Sequence, residues 1–363
     1  MASPSIQIQE FVWLAPYTTL RVGGKARYFV EITSQLALLE AVAFARDQDL
    51  PIFVLGGGSN LLISDDGFSG LVIHAQFKDF TQIDPFPMLF DRRLNPTSVD
   101  VSLGAGTNWD DFVRIICEQG ISGVECLAGI PGLVGGSPIQ NIGAYGQEVA
   151  DTILAVTALD LETLSYVGLD RNQCGFGYRS SIFNTTHRGR YIVTNVDFRF
   201  DLKAKPELTY ADLVRHFAGK VTAPTPIEVY HAVREIRHGK GMLLVEGEPD
   251  CRSAGSFFKN PIVSDAVLTQ IAESLGAEIA AVPHWPASAG LIKLPAAWLL
   301  DQAGFHKGFA MGAAGISSRH TLALINRGDA TFADISALRD AIQSEVKRRF
   351  GIVLEQEPVQ LGG

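Results

Sequence analysis

The chain has 363 residues, 47% of them hydrophobic and 19% charged, with a formal net charge of -9. That length buries a sizeable core and divides into two or three lobes. The acidic balance, without any lysine or arginine tract, excludes nucleic acid and anionic membrane as expected partners and leaves a small-molecule ligand.

The opening stretch MASPSIQIQEFVWLAPYTTL lacks a basic start followed by an apolar block. No run approaches the ~20 apolar residues of a membrane span, so a cytoplasmic address is expected. Residues 27–33, RYFVEIT, read as a strand, and Ser34 then caps a helix carrying Leu38, Leu39, Val42 and Ala45 on one face. IFVLG is a further strand, and it runs into Gly56, Gly57 and Gly58. A dinucleotide loop of the Rossmann kind requires a helix after such glycines, so that its amino end meets the pyrophosphate. Here Ser59 and Asn60 lead into Leu61, Leu62 and Ile63, a turn, and the strand LVIHA. Any phosphate must instead be held by backbone N–H groups that consecutive glycines aim into one hollow, with Ser59 and Asn60 adding side-chain donors.

Residues 80–97 read as an enlarged surface loop without a chemical role. NWDDFVRIICEQG is the clearest helix, with Trp109, Phe112, Val113, Ile116 and Cys117 on one face and Gly120 ending it. Residues 127–146, LAGIPGLVGGSPIQNIGAYG, repeat the glycine recipe, interleaved with Ser137, Gln140 and Asn141. Two such loops suggest a ligand with a long phosphate-containing spine. TILAVTALDL and YIVTNVDFRF are strands, KAKPE is a connector, and Thr225 with Pro226 opens a helix that begins a second lobe near 220. Helices follow at 264–275, 295–303 and 332–350, and the chain closes with a strand, IVLEQEPVQL. The spacing of Cys117, Cys126, Cys174 and Cys251 fits neither a CxxC pair nor a disulfide framework, so they read as reduced packing residues and no metal is expected.

The segments TTLRVGG, LGGGSNLL, GIPGLVGGSPIQNIGAYG, GYRSSIF, SAGSFFKNP and LEQEPVQLG occur in the order and spacing of the UDP-N-acetylenolpyruvoylglucosamine reductases. The resemblance runs from about 16 to 362, and LTYADL resembles the subgroup that carries a tyrosine-bearing loop. It implies an α+β fold, with a PCMH or vanillyl-alcohol-oxidase-type FAD-binding domain in two subdomains, 1–80 and 81–218. A substrate-binding α+β domain would span 219–350, and the strand at 351–363 would return to the first subdomain. It further implies noncovalent FAD and NADPH as co-substrate. Hydride would pass from NADPH to FAD and then from the flavin N5 to C3 of UDP-N-acetylglucosamine enolpyruvate, with protonation at C2, in a cytoplasmic monomer of peptidoglycan precursor synthesis.

By the same resemblance, Gly56, Gly57, Gly58, Ser59, Asn60 and Leu61 would hold the FAD pyrophosphate on one side. Ile130, Gly135, Gly136, Ser137, Asn141, Gly143 and Tyr145 would hold it on the other. Reduction at C3 leaves negative charge at C2, spread into the carboxylate, and the site must stabilise it and deliver a proton. Arg179 matches the family arginine at the carboxylate, where a guanidinium stays charged and binds two oxygens. Ser256 matches the proton donor to C2. Glu357 matches the glutamate that stabilises the enolate, a role that requires it protonated or hydrogen-bonded. Alternation along the last strand puts Glu355 and Glu357 on one face, so periodicity does not choose between them, and the motif favours Glu357. Tyr210, Arg237, Lys240, Asn260 and His320 correspond to substrate contacts. One departure stands out: Asn184 follows Phe183 where the family often has a basic residue, which puts one phosphate or structural contact in doubt.

The residues admit two other readings. An FAD oxidase of the same fold lacks an obvious attachment residue, because the first glycine loop holds no histidine and His74 lies beyond it. A silent binding module has no need of Ser256 as a proton donor.

Overall fold

The computed structural model describes residues 6–78, 97–287 and 290–362. The expected surface loop at 80–97 therefore lies outside the described residues, apart from its last position. The chain forms two compact units. The first comprises 1–12, 26–57 and 69–238, and the second 13–25, 58–68 and 239–363.

The first unit is built on two four-stranded sheets. One orders its strands β1 (Gln9–Trp13), β2 (Lys25–Ile32), β5 (Phe68–Ala75) and β3 (Ile52–Leu55), the last two parallel; β4 (Leu61–Ile63) belongs to the second unit. The helix α1 (Gln35–Asp47) follows β2, and Ser34 caps it by accepting the Ala37 N–H at 3.2 Å. Leu38, Val42 and Ala45 are buried, whereas Leu39 is only half-buried. The other sheet is antiparallel, with its long strands in the order β10 (Ser165–Asp170), β9 (Ile153–Asp160), β11 (Tyr191–Asp201) and β6 (Ser98–Gly104). Along β11, Val196, Phe198 and Phe200 turn inward while Asp197, Arg199 and Asp201 alternate with them. Helix α2 (Trp109–Glu118) packs Phe112 on Phe198, with ring centroids 4.9 Å apart. Two short strands, β7 (Gly143–Ala144) and β8 (Gln147–Glu148), pair with each other. After α3 (Ala211–His216) comes α4 (Pro226–Gly239), read from sequence as the opening of a second lobe. Its buried residues Val229, Tyr230, Ala232 and Val233 join the core of the first unit, and the second unit resumes at Gly239.

Besides β4, the described residues of the second unit carry short strands and three helices. They are β12 (Ile262–Val263), α5 (Asp265–Leu275), β13 (Trp285–Pro286), β14 (Ile292–Lys293), α6 (Ala296–Gln302), β15 (Ala310–Met311), β16 (Ala314–Ile316), β17 (Leu324–Asn326), α7 (Phe332–Phe350) and β18 (Val359–Leu361). A capping box between Thr331 and Asp334 starts α7, and Gly351 at φ +70° ends it. Ile335, Leu338, Ile342 and Val346 pack that helix into a core with Phe257, Phe258, Leu299 and Leu300.

The closing strand is shorter than expected. Residues 352–358 form no continuous strand, because the segment changes partner: the Glu357 N–H goes to the Phe257 carbonyl and the Val359 N–H to that of Asn60, each at 2.9 Å. Only β18 pairs regularly, in parallel with β4. The four cysteines are buried and unbridged. Burial raises the thiol pKa of Cys117 and pushes those of Cys126 and Cys174 up to about 12.

Candidate active site

In the first unit the second glycine loop is fastened to the start of α2. The Val134 N–H donates to the Thr107 carbonyl and that of Gly135 to Ala105, both at 2.9 Å, while the Trp109 N–H returns to Gly132 at 3.1 Å. The two glycine loops meet backbone to backbone, and a Cβ on Gly57 would stand 2.5 Å from the Gly132 Cα. Their bareness at this point is therefore a packing requirement. Gly56 and Gly136 differ, since a Cβ on either would meet nothing within 4 Å. Beside Gly136, the Ser137 hydroxyl is 1% exposed and has no hydrogen-bond partner among the described residues.

Gly129 opens this loop with both its polar groups engaged. Its N–H donates to Asp110 Oδ1 at 2.6 Å, and its carbonyl accepts from Arg237 Nε at 3.1 Å. Asp110 also takes the Arg234 guanidinium and the Tyr230 hydroxyl. Arg237 is 8% exposed, and burial lowers its pKa below the ordinary arginine value. Asp110 escaped the sequence reading, because an acid in the first turn of a helix is explained by the helix dipole alone.

Farther along the loop, Asn141 is buried with its carboxamide fully used. Its Nδ2 donates to Glu148 at 2.8 Å and to the Gly177 carbonyl at 3.0 Å, and its Oδ1 accepts the Ala150 N–H at 3.1 Å. Gly177 and Ser180 exchange backbone hydrogen bonds of 2.9 and 3.1 Å, which puts Tyr178 and Arg179 at the tip of a tight turn. The Arg179 guanidinium reaches the Gly143 carbonyl at 2.5 Å and that of Asn141 at 3.4 Å. Asn141, Tyr145 and Arg179 all hold positive φ, at +47°, +49° and +51°, a cluster of left-handed residues that marks a locally over-determined site. Tyr210, 45% exposed, sets its ring edge-on to Tyr145 with centroids 5.1 Å apart.

In the second unit, two motifs far apart in sequence are brought side by side. The hydrogen bond from Glu357 to Phe257, with one from the Lys259 N–H to Glu355 at 2.9 Å, lays 257–259 against 355–357. Ser256 directly precedes the residue whose carbonyl accepts the Glu357 N–H. Glu355 is exposed and pairs with Lys259, whereas Glu357 is half-buried. The Phe257 N–H is taken by the Leu322 carbonyl at 2.8 Å, which adds the His320 turn to the same cluster. Leu322 donates its N–H to His320 Nδ1 at 3.1 Å, fixing the neutral ring's proton on Nε2. Asn60 Nδ2 lies 3.4 Å from the Glu357 carbonyl. Asn260 accepts the Ala296 N–H at 2.9 Å at the start of α6. Lys240 directly follows α4 and is half-buried. Arg179, Tyr210 and Arg237 thus belong to the first unit, and Ser256, Glu357, Lys240, Asn260 and His320 to the second.

Comparison with known proteins matches both parts. Residues 26–163 match an FAD binding domain, and 248–361 match the C-terminal domain of UDP-N-acetylenolpyruvoylglucosamine reductase. The fold is accordingly that of an α+β flavoprotein with a PCMH-type FAD-binding domain. The chain is 44% identical over 357 residues to the UDP-N-acetylenolpyruvoylglucosamine reductase of Thermobifida fusca, covering 96% of each chain. Against the Streptomyces coelicolor enzyme the identity is 42%, over 96% of this chain and 89% of that one. A crystal structure of the Thermus caldophilus reductase superposes with a TM-score of 0.64 at 26% identity, covering 98% of this chain and 100% of that one. The chain belongs to the UDP-N-acetylenolpyruvoylglucosamine reductase family.

The first unit fits the flavin that such a family uses. Ser137 holds a buried hydroxyl without a partner among the described residues, and Gly56 and Gly136 leave a bare surface. Among the described residues, no helix is long and apolar enough to cross a membrane.

Proposed function

We propose that the protein reduces the enolpyruvyl ether of UDP-N-acetylglucosamine enolpyruvate to the lactyl ether of UDP-N-acetylmuramate, in peptidoglycan precursor synthesis. The observation that carries this reading is the backbone pairing of 257–259 with 355–357, which joins the SAGSFFKNP and LEQEPVQLG segments in the unit matching the reductase C-terminal domain. FAD, when bound, relays hydride from NADPH to C3 of the substrate.

The remaining chemistry falls to side chains. Charge that develops at C2 spreads into the substrate carboxylate, and the Arg179 guanidinium, steadied on the carbonyls of Gly143 and Asn141, neutralises it there. Ser256 delivers its hydroxyl proton to C2, and Glu357 keeps that hydroxyl supplied or donates to the enolate oxygen. A bare carboxylate in that position would repel the enolate, so Glu357 acts as the protonated or hydrogen-bonded form. His320 is assigned to a substrate contact. Tyr210 and Lys240 are assigned to the diphosphate. Arg237 and Asn260 support the substrate region while bound to Gly129 and Ala296. The same reading carries a cytoplasmic address and a monomeric enzyme.

The test is anaerobic. Flavin-loaded protein is reduced with NADPH and mixed with UDP-N-acetylglucosamine enolpyruvate. Prompt return of the oxidised flavin absorbance is expected, and recovery only on admitting air would favour an oxidase instead.

A further inference from the structure

We propose that Asn184 is a positioning residue for this reduction: its carboxamide locks the turn that bears Arg179 and thereby sets where the guanidinium is presented. This rests on the assignment of Arg179 to the substrate carboxylate.

Arg179 occupies the second central position of its turn at φ +51°, where glycine or asparagine is favoured and an arginine is strained. Such a conformation persists only when the surroundings enforce it. Asn184 does so from outside the turn. Its Nδ2 donates to the Arg179 carbonyl at 3.1 Å, and its Oδ1 accepts the Ser181 N–H at 2.9 Å. The direction of a carbonyl fixes its residue's ψ, so the first of these bonds acts on Arg179 itself. On the opposite leg, Asn141 holds the Gly177 carbonyl, and past the tip Ser181 Oγ donates to the Ile139 carbonyl at 2.6 Å.

Asn184 thus uses one side chain to satisfy both a donor, the Ser181 N–H, and an acceptor, the Arg179 carbonyl, on the strained segment. The task requires an amide, because an ammonium group has donors only and a carboxylate acceptors only. The departure from the basic residue expected at this position thus acquires a local purpose.

The experiment uses the flavin-loaded full-length protein carrying Asn184→Ala or Asn184→Asp, each followed through both half-reactions by anaerobic stopped flow. The aspartate keeps the Ser181 contact and turns a carboxylate toward the Arg179 carbonyl, so it retains the fold while removing the bond in question. Both variants should reduce with NADPH at the wild-type rate and reoxidise with substrate about tenfold or more slowly, as expected for a misplaced catalytic group. In an Arg179→Ala background, adding Asn184→Ala should slow reoxidation no further. Wild-type reoxidation in both variants, equal slowing of the two half-reactions, or a full additional loss in the double variant would each overturn the proposal. Wild-type reoxidation by Arg179→Ala alone would remove the role of Arg179 itself, and the proposal with it.

Discussion

Asp110 grips Gly129 from one side, accepting its N–H at 2.6 Å, while Arg237 donates to the carbonyl of the same glycine. A residue at the start of α2 and another in the last turn of α4 thus fix the point where the second glycine loop begins. Asp110→Ala would leave the N–H of the buried Gly129 and the Arg234 guanidinium without this acceptor. It is expected to lower the folding stability by about 1–3 kcal/mol and to weaken flavin binding together with it. Melting temperature and a flavin fluorescence titration check both, and unchanged flavin affinity would show that the loop keeps its shape unaided.

The two kinds of glycine in the loops separate packing from ligand contact. Gly57→Ala places a methyl group 2.5 Å from the Gly132 Cα, which no side-chain movement relieves. It should lower the melting temperature and flavin content together. Gly56→Ala finds open space among the described residues, so it should melt as the wild type does and lose flavin affinity. Equal flavin binding by Gly56→Ala and wild type would move the cofactor away from that surface.

Ser137 offers a finer probe. Its buried hydroxyl has no partner among the described residues, so Ser137→Ala should leave the flavin-free protein as stable as before or slightly more so. Flavin affinity should fall by about 0.5–1.5 kcal/mol, the net worth of one hydrogen bond. Isothermal titration of the apoprotein with FAD reads the difference directly, and no change would assign the hydroxyl to packing.

Much of the fold was legible because its signals are local. Ser34, Asn108 and Thr331 each cap the helix that the apolar spacing announces, and Gly351 stops α7 as its position suggested. The absence of a helix after Gly58 was equally readable, and β4 follows there. What the sequence concealed was partner choice. Alternation made 352–361 a single strand with Glu355 and Glu357 alike. The change of partner near Pro358 gives the two carboxylates different surroundings. Asp110 was hidden for the same reason, since it contacts backbone on another segment and leaves no periodic trace. The family motifs singled out Arg179, but not the turn that strains it.

Acid sensitivity follows from Asp160. Arg190 binds it with two hydrogen bonds, of 3.1 and 2.7 Å, and holds its carboxyl down at about 2, below the usual value of about 3.9. A carboxylate with a depressed folded-state pKa stabilises fully above its unfolded value, and that contribution fades as the pH falls through the folded one. The difference in melting temperature between wild type and Asp160→Asn should therefore hold steady from about pH 7 to about pH 4 and shrink between about pH 4 and about pH 2. A difference independent of pH would locate the loss in packing instead.

The proton-donor role of Ser256 is tested most directly by following the two half-reactions of Ser256→Ala separately under anaerobic conditions. Reduction by NADPH should proceed as in the wild type, and reoxidation by UDP-N-acetylglucosamine enolpyruvate should slow by about a hundredfold or more. Equal slowing of both steps, or wild-type reoxidation, would contradict it.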